Sequence, residues 1–483
     1  MRHPVRPLAV VLGLLCALAL SLLPTAAHAD DTETPTDTPL VLAGVAGLQW
    51  TDVDAARTPN LWRLVGGGSV ASVSVRTLTP TCPRDAWLSL SAGSRVVTDD
   101  AQDPQAGDDD SGDDSEGDGD GETEQTLTSC PPLPVPPGST TPEPTRVPGW
   151  STLVDDEELP TSASPGALGA LAETVGTCTT AAGPGGALAL ADPDGDVERY
   201  VTDAADLTDV DVAACPVTVV DLGELPDTAA ERIDAVAEVD DAVGRLADLL
   251  PDGGRLVVAG LADTPLGPAD LQVVVDWTAP GGSATWLSST SSRWPGVVVT
   301  GDLSATLADA LLQEADPQGG QDEQDEQYEQ DEAVTEAAAA FTGSPLQRGE
   351  DRRLSVARTV ENRQYLSVLT ETLPRMTPVL VGAMALAVVA VVVSLGLSRR
   401  RTPTGHGTRL ALATLVVAAV VPVAATLATL TRWWVGPAPV TVLSLAVAGI
   451  ALLVAAAAWW ARLLLPRPGG VCPRRSRRPR GSC

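Results

Sequence analysis

The spacing of hydrophobic residues predicts an open α/β domain in the first third of the chain. Leu40–Val45 is an apolar run typical of a buried strand, and Val70–Thr77 alternates apolar with polar residues as a second strand. Between them, the pair Thr58-Pro59 predicts the start of a short helix, because proline is favoured at a first helical position. Asp85 is the predicted cap of another helix over Ala86–Ala92. In domains of this kind, sites form beyond the carboxyl ends of the strands.

A strand–helix–strand pattern follows within residues 215–260. The string PVTVVDL is rich in β-branched residues and predicts a strand, and RLVVAGLAD predicts the next one. The segment between them has apolar residues at helical spacing, namely Ile233, Val236, Val239, Val243, Leu246 and Leu250. This unit predicts a parallel pair of strands joined by a right-handed crossover helix.

Five further segments complete the predicted domain. They are a helix over Gly166–Val175, a short buried strand over Gly185–Ala191, strands over Leu271–Val275 and Val297–Thr300, and a helix from Asp302 through Leu312.

Four strings of this sequence resemble the alkaline phosphatase-like superfamily, which includes phosphodiesterases, sulfatases and phosphoglycerate mutases. They are VLAGVAGLQW, TPNLWRLVGGGSVASVSV, PTCPRDAWLSLSAG and RWPGVVVTGDLSATLADAL. The resemblance covers most of residues 40–315 and implies a mostly parallel sheet with flanking helices. It also implies a metal-binding Asp directly after the first strand, at the position of Ala46, and a nucleophilic Thr or Ser in the turn before the second helix, at Thr81.

The residues that such a metal centre needs are missing from those positions. Ala46 carries no carboxylate, and the string Gly260-Leu261-Ala262-Asp263 stands where the resemblance implies an Asp-His-Gly motif. The three histidines are His3, His28 and His406, so the predicted exported domain has none. A threonine hydroxyl is a weak nucleophile without a base or a metal. We therefore expect Thr81 to be a vestigial nucleophile, and we predict no catalytic residue, bound metal or cofactor.

Three carboxylates remain as weak candidates for holding Mg²⁺ or Ca²⁺. They are Asp52, Asp221 and Asp263, and each is equally compatible with a helix cap or a solvated turn. An enzyme therefore stays an alternative interpretation, as a hydrolase of phosphate or sulfate esters.

The charge of the chain excludes one class of partner. Its 483 residues carry a formal net charge of −32, whereas a nucleic-acid-binding protein needs a basic face. The acidic residues concentrate in two low-complexity segments, 99–124 and 314–332, which cannot bury enough apolar surface to fold by themselves.

The beginning of the chain predicts export. Arginines, an apolar run and Ala27-His28-Ala29 form a secretory signal over residues 1–29. Four cysteines in the exported part predict two disulfides, with free buried thiols as the alternative. Because nearest neighbours in sequence are the simplest partners, we predict the pairs Cys82–Cys130 and Cys178–Cys215.

Three apolar stretches, 376–398, 409–431 and 440–461, predict transmembrane helices. Arginines follow the first and third stretches, which places the C-terminal tail in the cytoplasm and the N-terminal domain outside. The abrupt change in composition near Pro466 suggests truncation or a frameshift relative to longer relatives.

The predicted organisation is a signal peptide (1–29), an α/β ectodomain in two parts (30–98 and 151–313), a disordered acidic and Pro-rich insertion (99–150), an acidic and juxtamembrane linker (314–375), the three spans and a basic tail (462–483). The predicted function is binding or scaffolding at the cell membrane, with the lipid bilayer and an envelope protein or an anionic or glycan ligand as partners. Besides the hydrolase, a membrane-assembly component that acts through its spans is the other alternative.

Overall fold

The computed structural model describes residues 38–75, 81–96, 130–154, 163–263, 270–292, 294–314 and 333–370, with a few short pieces between 381 and 450. The signal peptide, both acidic low-complexity segments and the basic tail are predictions that lie outside the described residues.

Eleven strands in the described part form one sheet. They are β1 (Leu40–Ala46), β2 (Ser69–Ser74), β3 (Glu143–Arg146), β4 (Thr179–Ala182), β5 (Asp196–Val201), β6 (Val217–Glu224), β7 (Arg255–Ala262), β8 (Gln272–Thr278), β9 (Thr285–Ser288), β10 (Val297–Val299) and β11 (Gln347–Asp351). Their order is β11-β9-β2-β8-β7-β1-β6-β4-β5-β3, and β10 pairs with β2. The central strands β5, β4, β6, β1 and β7 are parallel, whereas β3, β8 and β11 run antiparallel to their neighbours.

Helices cover both faces of this sheet. They are α1 (Pro59–Gly67), α2 (Pro83–Ala92), α3 (Trp150–Val154), α4 (Ala167–Val175), α5 (Gly183–Leu190), α6 (Asp209–Ala214), α7 (Ala229–Leu249) and α8 (Thr300–Glu314), with helical segments at 333–338 and 356–370. One core cluster joins α2, α4, α5 and α8 to the sheet, and the other joins α1, α6, α7 and the 356–370 helix. The predicted α/β class with a mostly parallel sheet is confirmed.

The first predicted elements are close to those observed. β1, α1 and β2 form where the pattern indicated, and Pro59 opens α1. The second helix begins at Pro83 rather than after Asp85, because proline occupies its first turn and Cys82 is the capping residue. Asp85 therefore lies inside the first turn of α2, where a negative charge favours the helix dipole.

The predicted crossover unit is observed with two changes. β6 and β7 are parallel, but β1 lies between them, so α7 connects strands that are not neighbours. Val236, Val239, Val243 and Leu246 are buried on α7, whereas the side chain of Ile233 is 54% exposed.

The prediction of a strand over Gly185–Ala191 is wrong, because this segment belongs to α5. Pro184 lies in the first turn of this helix, where its missing N–H leaves no helical hydrogen bond unmade. The run GALAL is buried along its whole length, and a short apolar run without alternation does not distinguish a helix from a strand.

The predicted linkers contain more structure than expected. Within 99–150, Glu143–Arg146 forms β3 at the edge of the sheet, antiparallel to β5. Within 314–375, Gln347–Asp351 forms β11, and the 356–370 helix packs on the domain. Two buried arginines fix that helix. Arg352 donates to Val65 O and to Thr359, and Arg363 donates to Gly296 O while its guanidinium lies 4.4 Å from the ring centre of Trp286.

Within the residues that the structure describes, no helix combines the length and the apolar character needed to cross a membrane. The predicted spans at 376–398, 409–431 and 440–461 lie almost entirely outside those residues, so they stay predictions.

Candidate functional site

The carboxyl edge of the central strands is where the fold collects the residues singled out from sequence. β1 ends at Ala46, which pairs with Ala262 at the end of β7 and with Glu224 at the end of β6. Ala46 is 4% exposed and offers only a methyl group to this edge. The position at which the resemblance implies a metal-binding Asp therefore supplies no ligand.

Thr81 lies at the same edge, directly before α2. Its backbone N–H donates to Asp263 Oδ2 at 3.1 Å, and its carbonyl accepts from the Asp263 N–H at 3.0 Å. The Thr81 hydroxyl donates to the carbonyl of Val75 at 2.8 Å, and the residue is 5% exposed. The structure thus brings Thr81 and Asp263 together, but the carboxylate binds the main chain of Thr81 and the hydroxyl proton is given to a main-chain oxygen.

Asp263 follows β7 directly and is 1% exposed. Besides Thr81, its carboxylate accepts from the backbone N–H of Asp270 at 3.3 Å and lies 3.5 Å from Nε2 of Gln272. The carboxylate therefore ties the turn before α2 to the start of β8.

Asp52 is paired with an arginine of α7. Nε and Nη2 of Arg232 donate to its two carboxylate oxygens at 2.9 and 2.7 Å, and the backbone N–H of Gln49 donates to Oδ2 at 2.8 Å. Such a two-point pair joins the loop after β1 to α7. Asp52 thus has a structural partner on each oxygen.

Asp221 lies near the end of β6, beside the start of α5. Its oxygens accept from the N–H groups of Gly185 and Gly223 at 2.9 and 2.8 Å. Burial raises the pKa of the Asp221 carboxyl above its ordinary value, although the two N–H donors act in the opposite sense. Burial, with a smaller contribution from the Asp221 charge, also raises the pKa of Tyr200.

The three carboxylates thus bind three different parts of the fold. Asp52 binds α7, Asp221 binds the start of α5, and Asp263 binds the turn at Thr81. Among the described residues, no three side chains of His, Cys, Asp or Glu are grouped so that they could hold one metal ion. All three histidines lie outside those residues.

Both predicted disulfides are confirmed. Cys82 pairs with Cys130, and Cys178 pairs with Cys215, with Cα–Cα distances of 5.5 and 5.2 Å. Cys82 is the residue after Thr81, so the first disulfide fixes the turn that carries Thr81.

A cavity of about 270 Å³, which we call the α8 cavity, opens beside Thr81 between α2 and the start of α8. Its lining is Val75, Thr81, Ala86, Ser89, Ser94, Arg95, Ser291, Val299, Thr300, Gly301, Thr342 and Gly343. Sequence reasoning missed Arg95, Ser291 and Thr300. Thr300 is the last residue of a predicted strand, which was the one available signal, because side chains at the carboxyl ends of strands form sites.

Comparison with known proteins gives only distant likenesses. No family model matches the chain, and no curated protein matches it. Murine ectonucleotide pyrophosphatase/phosphodiesterase 5 aligns with 46% of this chain and 56% of its own, at 12% identity and a TM-score of 0.26. An inactive form of that protein in complex with AMP aligns over 59% of this chain and 97% of its own, at 10% identity and a TM-score of 0.30.

The PH0037 protein from Pyrococcus horikoshii aligns with 59% of this chain and 98% of its own, at 10% identity and a TM-score of 0.31. The chain thus spans little more than half the length of the first of these structures and nearly all of the other two. Likenesses this distant assign neither a family nor an activity, so the functional argument rests on the residues of the site.

Proposed function

We propose that this chain is a membrane-anchored binding or scaffolding protein of the cell envelope, whose α/β domain is a non-catalytic member of the alkaline phosphatase-like superfamily. The observation that carries the proposal is the set of hydrogen bonds made by Thr81. Its hydroxyl proton is donated to Val75 O, and its nearest carboxylate, Asp263, binds the Thr81 main chain instead.

This arrangement lacks what the chemistry of ester hydrolysis requires. A threonine hydroxyl needs a base or a metal to become a nucleophile, and phosphoryl transfer needs charge stabilisation that metals commonly supply. Together such effects must lower the barrier by at least about 8 kcal/mol. The three candidate carboxylates bind groups of the protein instead, and Arg232 binds both oxygens of Asp52.

Location at the envelope is supported by three features, of which one is observed and two are predicted from the sequence. Two disulfides fit an oxidising compartment, and the predicted signal over 1–29 would deliver the domain there. The predicted spans at 376–398, 409–431 and 440–461 would anchor it, and the 356–370 helix precedes the first of them in the sequence.

The test is metal analysis of the purified full-length protein together with hydrolysis of a generic phosphodiester. We expect far less than one divalent ion per chain and no turnover above that of the buffer. Thr81→Ala and Thr81→Ser should both behave as the unmodified protein does. If the protein held two divalent ions and its turnover was lost in Thr81→Ala but partly kept in Thr81→Ser, the hydrolase alternative would replace this proposal.

A further inference from the structure

The Pro-rich segment 131–139 lies on the domain without forming a helix or a strand. Its sequence is PPLPVPPGS, and both Leu133 and Val135 precede a proline. Proline fixes φ at about −65°, and a residue before proline is restricted to extended backbone. The segment therefore favours a polyproline II helix, in which three residues make one turn.

The burial of its side chains follows this period of three. Leu133 packs against the core cluster that contains α2 and α5, and Pro136, three residues later, is buried. Pro132 and Val135 are exposed, and 62% of the Val135 side chain is accessible. Pro137 is exposed as well. The segment thus buries one row of side chains and leaves Pro132, Val135 and Pro137 in solvent, and we call these three residues the proline ridge.

Both ends of the segment are fixed to the domain. Before it, Cys130 forms the disulfide with Cys82, which precedes α2. At its end, the N–H of Ser139 donates to the Thr202 hydroxyl at 2.8 Å, and the N–H of Thr202 donates to Ser139 O at 2.9 Å. A partner of the proline ridge would therefore bind a segment that is already held in place, which lowers the entropy cost of binding.

The charge of this segment differs from that of the chain around it. Residues 125–142 contain no charged side chain, although the preceding segment 99–124 is acidic and the whole chain has a net charge of −32. Each proline offers a carbonyl acceptor but no N–H donor. The proline ridge therefore suits a partner whose groove is apolar and supplies hydrogen-bond donors, rather than a basic partner.

We propose that the proline ridge is a docking surface for a protein with an aromatic-lined groove of the kind that recognises polyproline II segments. This inference rests on the proposed scaffolding function and names the class of partner. Pro131, Pro134 and Pro137 have the PxxP spacing of the ligands that such grooves bind, and the rigid backbone of these ligands loses little entropy on binding. The alternative is a rigid spacer between the disulfide and β3, which would bind no partner.

The test uses a WW domain, whose groove is lined by aromatic side chains, chosen because it binds a synthetic peptide of residues 131–139. Calorimetric titration compares its binding to this peptide and to the oxidised full-length protein. We expect the protein to bind the WW domain at least as tightly as the peptide does, because the segment is already held in place. Weaker binding by the protein than by the peptide, or none, would overturn the inference.

Substitutions in the proline ridge test whether it is the surface that the WW domain contacts. Val135→Asp should weaken binding of the WW domain by about tenfold or more, because it places a charge in an apolar contact. Pro132→Ala and Pro137→Ala should weaken it by a smaller factor. These two variants keep the test valid if Val135→Asp does not fold.

The matched control is Val210→Asp, which adds the same charge at a valine of α6 that is 71% exposed. It should leave the affinity for the WW domain unchanged. Equal losses of affinity in Val135→Asp and Val210→Asp would show that the proline ridge is not the surface bound, and the inference would be wrong.

Sedimentation of the full-length protein alone distinguishes a partner protein from a second copy of this chain. We expect the unmodified protein and Val135→Asp to sediment alike. Self-association that Val135→Asp abolishes would identify a second copy as the occupant and overturn the choice of partner. Failure of WW binding would leave the metal content and the lack of turnover, and with them the proposed function, unchanged. Hydrolysis that depends on Thr81 would overturn the proposed function without altering WW binding.

Discussion

The indole of Trp87 shows how single residues fix the candidate site. This side chain of α2 is buried against β1 and α5, and glycines make room for it on both. A Cβ atom at Gly44 would lie 2.3 Å from Trp87 Cη2, and one at Gly185 would lie 2.2 Å from Trp87 Cε2. Since Trp87 is six residues beyond Thr81, this close packing also positions the turn that carries Thr81.

We therefore expect Gly44→Ala to lower the free energy of unfolding by about 1–3 kcal/mol, because overpacking forces side chains and backbone to shift. Urea unfolding followed by tryptophan fluorescence measures this change. The control is Gly281→Ala, where an added Cβ meets no atom within 4 Å, and the change there should be small. Gly44→Ala should lower the free energy of unfolding less in a Trp87→Leu background than in the unmodified protein, because the smaller side chain leaves room for the added methyl group. An equal loss in both backgrounds would contradict the packing argument.

At the scale of elements, β8 is the strand that joins the two halves of the sheet. It runs antiparallel between β7 and β2, and its Asp276 is buried. Arg255 of β7 donates to both oxygens of Asp276, at 2.8 and 2.7 Å, and Arg348 of β11 lies 3.5 Å from Oδ1. Burial acts to raise the pKa of Asp276, but the charge and hydrogen bonds of Arg255, with those of Arg348, lower it below its ordinary value.

This pair predicts a specific loss of stability in acid. The folded protein binds a proton at Asp276 more weakly than the unfolded chain does. The stability that the ionised Asp276 carboxylate contributes is therefore complete above the unfolded pKa of about 4. It is lost as the pH falls through the lower folded pKa. Asp276→Asn should lower the free energy of unfolding by about 1.5–3 kcal/mol at neutral pH and reduce its decline below about pH 4.

Urea unfolding across this pH range measures both effects. The control is Asp196→Asn, which breaks the exposed pair with Arg146 and should change stability by less than about 1 kcal/mol. An unchanged pH dependence in Asp276→Asn would show that the pair does not govern the acid response.

At the scale of the whole molecule, two disulfides join segments that are 48 and 37 residues apart in the sequence. Cys82–Cys130 closes a loop of 48 residues around the acidic insertion, and Cys178–Cys215 joins the segments before β4 and β6 across 37 residues. A crosslink that closes a long, flexible loop restricts the unfolded chain more than one that closes a short loop. The first bond also holds the start of α2, and with it Thr81.

Removal of the first disulfide should therefore destabilise the protein strongly. For a loop of this length, the chain-entropy relation gives about 4 kcal/mol for the double change Cys82→Ser with Cys130→Ser. Urea unfolding of the oxidised full-length protein measures it, with Cys472→Ser as a control that removes a cysteine outside both pairs. A loss in the free energy of unfolding no larger than that of the control would mean that closing the loop around the insertion does not stabilise the protein.

The sequence by itself determined the elements whose signals are local. A proline at a first helical position started α1, alternation marked β2, and helical spacing marked the buried face of α7. The disulfide pairs also followed from sequence, because nearest neighbours along the chain close the shortest loops. Each of these signals is contained within a few turns of chain or a single loop.

Only the tertiary structure decided which elements meet. It placed β1 between β6 and β7, turned the apolar run after β4 into α5, and joined Asp52 to Arg232 across 180 residues. It also brought Thr81 to Asp263 and opened the cavity beside Arg95. These outcomes depend on contacts between residues far apart in sequence. Neither hydrophobic periodicity nor composition predicts which distant residue a side chain will contact.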